Sequence, residues 1–155
     1  MPILTRPAVP HDREFLWRLH RETMRDYVNE TWGWNEEWQR ARFDENFDPE
    51  KLKVVENETG PIGCISVKRL ADEILLAAIE IAPEHQNRGV GTQIIRELLD
   101  ECDHKQLPAR LFVLKANPAR RLYTRLGFQC IEETSTHYVM IRRPAPVSVP
   151  SRYTD

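Results

Sequence analysis

The stretch Gln86-Asn87-Arg88-Gly89-Val90-Gly91 joins an apolar segment, residues 74–81, to an amphipathic one. In the amphipathic segment, apolar residues recur at helical spacing at Val90, Ile94, Ile95, Leu98, Leu99 and Cys102. The pattern therefore predicts a strand, a tight turn and a helix. The two glycines let the backbone curl without steric hindrance, and the free N–H groups of a helix's first turn attract an anion. We expect a pyrophosphate site here, with the positive charge of Arg88 beside it.

Two common phosphate-binding motifs do not fit this turn. A P-loop requires Gly-Lys-Ser or Gly-Lys-Thr, whereas Gly91 is followed by Thr92 and Gln93. The dinucleotide-binding fingerprint requires a third glycine, and this chain has Ile94 at that position. The pattern that remains, Q-x-x-G-x-G, resembles the acyl-CoA loop of the GCN5-related N-acetyltransferase (GNAT) superfamily.

A second motif lies at residues 117–128, with the sequence Asn117-Pro118-Ala119-Arg120-Arg121-Leu122-Tyr123-Thr124-Arg125-Leu126-Gly127-Phe128. From the residues alone it predicts a short helix that Gly127 ends, with Tyr123 as an aromatic residue at the edge of the buried face. The stretch also resembles N-x-x-A/R-x-x-L-Y-x-x-L-G-F, the other hallmark of GNAT enzymes. Because the two motifs occur in the expected order, the chain is identified as a member of that superfamily, whose cosubstrate is acetyl-CoA.

The resemblance implies roles for individual residues. Tyr123 matches the tyrosine that returns a proton to the leaving CoA thiolate, and Asn117 matches the asparagine that hydrogen-bonds the pantetheine arm. The pantetheine amides pair with the exposed edge of the strand 74–81 like an added strand, and the turn holds the diphosphate. Gln86 is a marker of the motif more than a ligand. The cofactor-binding residues implied are Ile79, Ile81, Gln86, Asn87, Arg88, Gly89, Val90, Gly91, Thr92, Asn117 and Tyr123.

Glu80 is the candidate general base, because it is the one carboxylate within the apolar strand 74–81. Near the slot that family members form between two central strands, it could accept the proton of the acceptor amine, directly or through water. The alternative is that Glu80 points to the opposite face and meets a lysine or arginine. Glu73, at the start of the strand, is a second candidate, although a solvated strand end is the commoner role. Relatives that acetylate ribosomal protein N-termini carry a glutamate on the next strand, where this chain has Phe112.

Residues 27–38 hold three of the four tryptophans, interleaved with glutamates. In GNAT folds the segment between the first two helices forms a wall of the acceptor site, and aromatic rings and carboxylates suit a cationic amine. The resemblance therefore implies acceptor contacts at Tyr27, Glu30, Trp32 and Trp34 and, from the last strand, at His137. Tyr138 is a further candidate there. The alternative is a loop held on the core by its tryptophans, with its glutamates capping the next helix, and a structural role for His137.

Periodicity and turn signals along the chain predict the element order β-α-α-β-β-β-α-β-α-β-β, with the first helix fading at residues 27–29. Strands alternating with helices in the middle and hairpins at the ends indicate an α/β fold with a mixed sheet packed by helices. The same order is that of the GNAT fold. We expect one domain at residues 1–143 and a proline-rich tail at residues 144–155.

Composition restricts the function classes further. The 155 residues carry a net charge of −2 with acidic and basic residues mixed, which argues against a nucleic-acid partner. No apolar run is long enough for a transmembrane helix, and the first residues lack a signal-peptide core, so we expect a cytoplasmic protein without a membrane partner. The three cysteines, Cys64, Cys102 and Cys130, are expected to be reduced core residues. No metal is expected, because no Cys/His pair has the spacing of a zinc site.

The functional hypothesis is an enzyme that transfers an acetyl group from acetyl-CoA to a primary amine of a small molecule or peptide, by direct attack in a ternary complex. Two alternatives stay open. One is a noncatalytic CoA-binding or regulatory module, and the other is a protein acetyltransferase that acts on lysines or N-termini. Exposed strand edges and the proline-rich tail are compatible with a homodimer.

Overall fold

Apolar strands alternate with amphipathic helices, and in the computed structural model, which describes residues 2–146, they form a seven-stranded mixed sheet with four α-helices. The strands are β1 (Leu4–Pro7), β2 (Lys53–Asn57), β3 (Gly60–Arg69), β4 (Ile74–Ile81), β5 (Ala109–Leu114), β6 (Gln129–Glu133) and β7 (His137–Arg142). The helices are α1 (Arg13–Trp32), α2 (Glu36–Asn46), α3 (Val90–Lys105) and α4 (Arg120–Arg125). The order of strands and α-helices confirms the sequence-based prediction.

The sheet has the strand order β1-β2-β3-β4-β5-β7-β6, and its neighbours are antiparallel except for the parallel pair β4 and β5. Helices α1 and α2 cover one face, where Leu16, Leu19 and Phe43 pack with Val54 and Cys64. Helices α3 and α4 cover the other face, and all six apolar positions predicted for α3 are buried there. Strand β4 therefore lies between two helical layers.

Strand β4 contains a bulge at Ala77. Leu76 pairs with Val67 and Ala78 pairs with Ser66, so Ala77 has no partner on β3. An extra residue of this kind bends the strand and increases its local twist. The bend begins where β4 should otherwise continue alongside β5.

The bulge also decides which face Glu80 occupies. Side chains of a regular strand alternate between faces, and one extra residue reverses the alternation beyond it. Ile74 and Leu76 pack in the α3 core before the bulge, and Ile79 and Ile81 pack against the same core after it. Glu80 is therefore turned towards α1, away from the α3 core that a regular strand would have placed it in.

The pairing between β4 and β5 is short. It extends from the pair Ile74 and Ala109 to the pair Leu76 and Leu111, and ends at the bulge. Strand β5 continues to pair with β7 along its whole length, so the second half of β4 has a free edge on the β5 side. This gap is the slot that the family resemblance implied.

Helix α1 is longer than the sequence predicts, since it ends at Trp32 and not at residues 27–29. The Thr31 hydroxyl donates to the carbonyl oxygen of Tyr27 at 2.8 Å within the last turn. Gly33, with φ 86°, ends the helix in a conformation that glycine adopts readily. Only residues 33–35 separate α1 from α2, so most of the segment expected to be an acceptor-site loop is helical.

The cysteines are free, and two of the three are buried as expected. The prediction of a core position for Cys130 is wrong, because β6 lies at the edge of the sheet and all five of its residues are exposed. Beyond β7 the chain lies against the end of α3, where Ala145 donates its N–H to Asp103 at 2.8 Å and accepts from Gln106 at 2.9 Å. The rest of the predicted tail, residues 147–155, lies outside the described residues.

None of the helices between residues 2 and 146 is both long enough and apolar enough to cross a membrane.

Gly63 allows β3 to approach the bulged strand, and replacing it should destabilise the fold. A Cβ atom there would lie 2.5 Å from the Glu80 carbonyl oxygen and 2.8 Å from Cδ1 of Ile81. We expect Gly63→Ala to lower the free energy of unfolding by about 1–3 kcal/mol, as overpacking does. Gly91→Ala is the control, because its Cβ would meet only Leu122 at 3.6 Å and alanine favours a helix. Equal urea unfolding midpoints for the two variants would contradict this.

Candidate functional site

The turn before α3 leaves a helix end without a cap. Asn87 has φ 61° and Gly89 has φ 84°, both in the left-handed region, and Gly89 is the N-cap residue of α3. No side chain caps this end of the helix, so the first N–H groups of α3 have neither a helical nor a side-chain acceptor. Those N–H groups and the helix dipole together favour an anion at the turn.

Gln86 holds the turn against β4. Its Nε2 donates to the carbonyl oxygen of Ile81 at 2.8 Å. The side chain thus fixes the position of the turn relative to the strand, as a motif residue would. The contact uses one of the two acceptor sites of the Ile81 carbonyl oxygen.

Backbone groups of Ile79 and Ile81 point into the gap between β4 and β5. In an antiparallel pair, successive residues direct their N–H and C=O groups alternately towards and away from the partner strand. Ala82 donates its N–H to Ile62 of β3 at 2.8 Å, so Ile81 and Ile79 direct theirs to the open edge. Two N–H groups and the Ile79 carbonyl therefore face the slot, where an extended chain can pair with them.

A cleft of about 840 Å³ joins the uncapped end of α3 to the α4 motif along this edge. Residues of α1, β4, the turn, α3 and the segment 117–126 form its walls. The sequence-predicted residues that line it are Tyr27, Ile79, Glu80, Ile81, Gln86, Asn87, Gly89, Gly91, Thr92, Asn117 and Tyr123.

Two predicted cofactor residues do not line the cleft, and three arginines that were not predicted do. The Arg88 side chain is exposed outside the lining, and the Val90 side chain is buried in the α3 core, so Val90 contributes only backbone. Arg96, Arg121 and Arg125 line the cleft. No ion pair occupies these three arginines within the described part of the chain. Their charge makes the cleft attractive to phosphate groups.

Tyr123 of α4 also lines the cleft. It is 7% exposed, and its ring packs edge-on against Phe128 with centroids 5.9 Å apart. Burial raises the pKa of Tyr123 to about 12. The phenol therefore stays protonated at neutral pH and has a proton to donate.

Asn117 positions the start of α4. Its Oδ1 accepts the N–H of Ala119 at 2.9 Å, and its own N–H donates to the carbonyl of Leu114 at 2.9 Å. The side-chain amide N–H groups of Asn117 remain as the donors that it can offer to a ligand in the cleft.

Glu80 faces α1 and is hydrogen-bonded to His20. The Glu80 Oε2 and His20 Nδ1 atoms are 2.8 Å apart, and the thiol of Cys64 donates to Oε1 at 3.9 Å. The Glu80 side chain is 11% exposed and borders the cleft. The expected alternative of a lysine or arginine partner is wrong, because the side chain that α1 presents opposite Glu80 is a histidine.

The surroundings of Glu80 shift the pKa values of His20 and Cys64. Burial lowers the pKa of His20, but the hydrogen bond and the negative charge of Glu80 outweigh it, so that the pKa is raised above its ordinary value. Burial, followed by the charge of Glu80, raises the pKa of Cys64 well above its ordinary range. Cys64 therefore remains a neutral thiol that donates to Glu80.

Aromatic rings hold the segment between α1 and α2 against His20. Trp34 stacks on Trp17 with centroids 6.2 Å apart, and its centroid is 6.2 Å from that of His20. The Trp34 indole N–H donates to Glu36 at 2.8 Å. The cap of α2 is Asn35 and not a glutamate, because the Asn35 side chain accepts a backbone N–H of the first turn.

The remaining predicted acceptor residues lie in three places. Tyr27 lines the cleft from α1. Trp32 and His137 come together from the end of α1 and the start of β7, with ring centroids 5.9 Å apart, and Trp32 is 61% exposed. Glu30 is exposed on α1 and does not line the cleft.

Two alternative candidates, Tyr138 and Glu73, lie outside the lining of the cleft, and so does Phe112. The guanidinium carbon of Arg120 lies 4.1 Å from the centroid of the Tyr138 ring. Glu73 is paired with Arg110 at 2.7 Å where β4 and β5 begin. Phe112 is exposed on β5, so this strand supplies no carboxylate at the position where some relatives carry one.

A periodic pattern in the sequence indicates the position of His20, which the motifs alone did not. Trp17, His20, Met24 and Tyr27 recur at helical spacing, and Met24 and Tyr27 both line the cleft. The pattern identifies one face of α1 that is directed at β4. Within residues 2–146, no group of three His, Cys, Asp or Glu side chains could hold a metal ion.

Solved acetyltransferase structures share this fold. The PaiA N-acetyltransferase of Thermoplasma acidophilum, in complex with coenzyme A, matches with a TM-score of 0.76 at 20% identity, over 92% of this chain and 99% of that chain. The ribosomal-protein-S18-alanine N-acetyltransferase of Escherichia coli matches with a TM-score of 0.66 at 17% identity, over 95% and 97%. An acetyltransferase of Thermus thermophilus matches with a TM-score of 0.71 at 19% identity, over 92% and 97%. No curated protein sequence matches the chain significantly.

The family model of the acetyltransferase (GNAT) family matches residues 14–128. The matched segment contains the uncapped turn, both strands of the slot, and the motif that carries Asn117 and Tyr123. It also contains the whole of α1 but for its first residue, and so includes His20. The chain belongs to the GNAT acetyltransferase family.

Proposed function

We propose that this protein transfers an acetyl group from acetyl-CoA to a primary amine of a small molecule or peptide, by direct attack in a ternary complex. The observation that carries the proposal is the single cleft that joins an uncapped helix end to a buried, protonated phenol. The free edge of β4 lines the same cleft. Anion site, strand edge and proton donor are the three features that the diphosphate, the amides and the sulfur of coenzyme A require.

Each part of the cleft has a task in this proposal. The N–H groups at the start of α3 hold the diphosphate, and Arg96, Arg121 and Arg125 add positive charge around it. Ile79, the Ile81 N–H and the Asn117 side chain hold the pantetheine amides. The hydrogen bond from the Gln86 side chain to Ile81 holds the turn next to the free edge of β4.

The reaction releases one proton overall. The nitrogen of the acceptor forms a bond to the carbonyl carbon of the thioester, and the C–S bond then breaks. Glu80 takes one proton from the acceptor ammonium, and Tyr123 donates a proton to the departing thiolate and regains one from the acylated nitrogen. Both side chains line the cleft, which places a proton donor and a proton acceptor in the same space.

The walls on the α1 side suit an amine that carries a positive charge. Glu80 supplies a carboxylate, and Tyr27 an aromatic ring. The Trp32 and His137 rings pack on each other outside the lining of the cleft and are proposed as further acceptor contacts. A peptide acceptor stays within the proposal, since a structural relative acts on the alanine of a ribosomal protein. Relatives that acetylate ribosomal protein N-termini carry a glutamate where this chain has the exposed Phe112, which favours an acceptor other than a protein N-terminus.

A noncatalytic CoA-binding module is the competing function. Such a module needs the turn and the arginines but has no use for a protonated phenol or a carboxylate in the cleft. The presence of Tyr123 and Glu80 in one space favours an enzyme.

The first prediction concerns the turn. Acetyl-CoA at a hundred times its Kd should add about 2.7 kcal/mol of stability and raise the Tm by several degrees, and Gly89→Val should abolish that rise. Gly33→Val is the matched control, because φ is 84° at Gly89 and 86° at Gly33, and neither Cβ would meet an atom within 4 Å. At Gly33 ψ is 149°, in a region almost exclusive to glycine, whereas at Gly89 ψ is 1°, so the control carries at least as much backbone strain, but only Gly89 borders the cleft. Loss of the acetyl-CoA shift in both would show that strain alone is responsible.

The second prediction concerns the proton donor. Tyr123→Phe should lower kcat by roughly 10²-fold, the usual effect of losing a general acid, with the KM for acetyl-CoA within about twofold. Tyr138→Phe, which removes a hydroxyl outside the lining of the cleft, is the control. Release of free CoA, measured with a thiol reagent, is the assay. An unchanged kcat in Tyr123→Phe would remove Tyr123 from the chemistry.

The third prediction concerns the acceptor. In a panel of amines, wild-type protein should release CoA with at least one primary amine and not with its N,N-dimethyl analogue, which has no N–H to lose after acetylation. Absence of turnover with every amine, together with a normal acetyl-CoA shift, would favour the noncatalytic module. Turnover only with proteins would favour the alternative acceptor class.

A further inference from the structure

We propose that His20 and Glu80 form one proton-accepting dyad, in which Glu80 receives the proton of the acceptor ammonium and His20 delivers it to solvent. The inference rests on the proposed function and adds to it a residue of α1. Its geometric basis is the 2.8 Å contact between His20 Nδ1 and Glu80 Oε2. The carboxylate borders the cleft, and the imidazole lies behind it.

A carboxylate alone is poorly suited to this proton transfer. The reference pKa values of a glutamate and an alkylammonium differ by about six units, whereas those of an imidazole and an alkylammonium differ by about four. An acceptor whose pKa is close to the working pH is the more effective one. A proton passed on from the carboxylate to an imidazole therefore rests on the group whose reference pKa is closer to that of the amine.

The exposure of the two side chains gives the proton a direction. The Glu80 side chain is 11% exposed and the His20 side chain is 30% exposed. A proton that enters at the enclosed carboxylate can leave from the imidazole, which reaches solvent. The thiol of Cys64 donates a hydrogen bond to the other carboxylate oxygen. It stays protonated near neutral pH, because burial raises its pKa.

The charged groups around His20 are few. Glu80 faces it from β4, and Cys64 contacts Glu80 from β3. On α1 itself, the neighbouring Arg21 is paired with Glu36 of α2 at 3.0 Å. The other close neighbours are the rings of Trp17 and Trp34. Glu80 is therefore the one charge hydrogen-bonded to the imidazole among the described residues.

The proton count is balanced. The acceptor R–NH3⁺ gives one proton to the dyad, which becomes an imidazolium–carboxylate pair, and R–NH2 attacks the thioester. Formation of the C–N bond and cleavage of the C–S bond leave a thiolate, which takes a proton from Tyr123. The second proton lost by the nitrogen restores Tyr123, and the imidazolium releases the first to water. No oxidant or additional reactant is needed.

The dyad has a direct test that needs no turnover. In NMR spectra of the unliganded protein, the His20 imidazole signal, assigned by its absence in His20→Asn, should titrate above an ordinary histidine in wild type. In Glu80→Gln its midpoint should fall by about one pH unit or more, because the carboxylate that stabilises the imidazolium is gone. An unchanged midpoint would overturn the dyad.

The kinetic test uses the amine identified in the panel. His20→Asn keeps a side-chain N–H towards Glu80 but cannot titrate. We expect its kcat to fall roughly tenfold at neutral pH, and the acid limb of its pH–rate profile to move to lower pH. Affinity for CoA should stay unchanged. His104→Gln, which removes an exposed histidine at the end of α3, should match wild type in rate and profile.

The outcomes separate the two proposals. A His20→Asn profile that coincides with that of wild type, in an active enzyme, would overturn the dyad and leave acetyl transfer in place. Absence of turnover by wild type with every amine would overturn the proposed function, and the proton-accepting role with it, whatever the NMR midpoint.

Discussion

The bulge at Ala77 is the constraint on which the rest of the site depends. One extra residue ends the pairing of β4 with β5 after Leu76, and so opens the gap that exposes the backbone groups of Ile79 and Ile81. The same residue reverses the alternation of side chains, which turns Glu80 from the α3 core towards α1. Slot and carboxylate are thus two consequences of one backbone irregularity.

Two walls of the cleft have opposite electrostatic character. On the side of α3 and α4, unpaired N–H groups and the three arginines Arg96, Arg121 and Arg125 favour an anion. On the α1 side, Glu80 and the Tyr27 ring favour a cation. In the proposed reaction, these walls separate the polyanionic acyl donor from a cationic acceptor within one cleft. Hydrogen bonds that fix Glu80 and Gln86 hold this arrangement in place before any ligand binds.

The order of the elements, the turn and the α4 motif were predicted from the sequence, because each depends on residues that are close together along the chain. The helix α3 and its six buried positions are the clearest case. The partner of Glu80 could not be predicted from neighbouring residues, because a bulge places Glu80 opposite His20, which lies sixty positions earlier in the chain. The length of α1 was underestimated because Asn29, Glu30 and Thr31 interrupt the apolar pattern, although the helix continues to Trp32. The arginines of the cleft were missed because only the fold places Arg96 in the same cleft as Arg121 and Arg125.

The most direct measurement is a crystal structure of the protein with coenzyme A, read as two distances. The account predicts diphosphate oxygens within hydrogen-bond distance of the amide nitrogens of residues 89–92, and the sulfur beside the Tyr123 hydroxyl. A coenzyme bound elsewhere, or one whose sulfur lies outside the gap between β4 and β5, would contradict it.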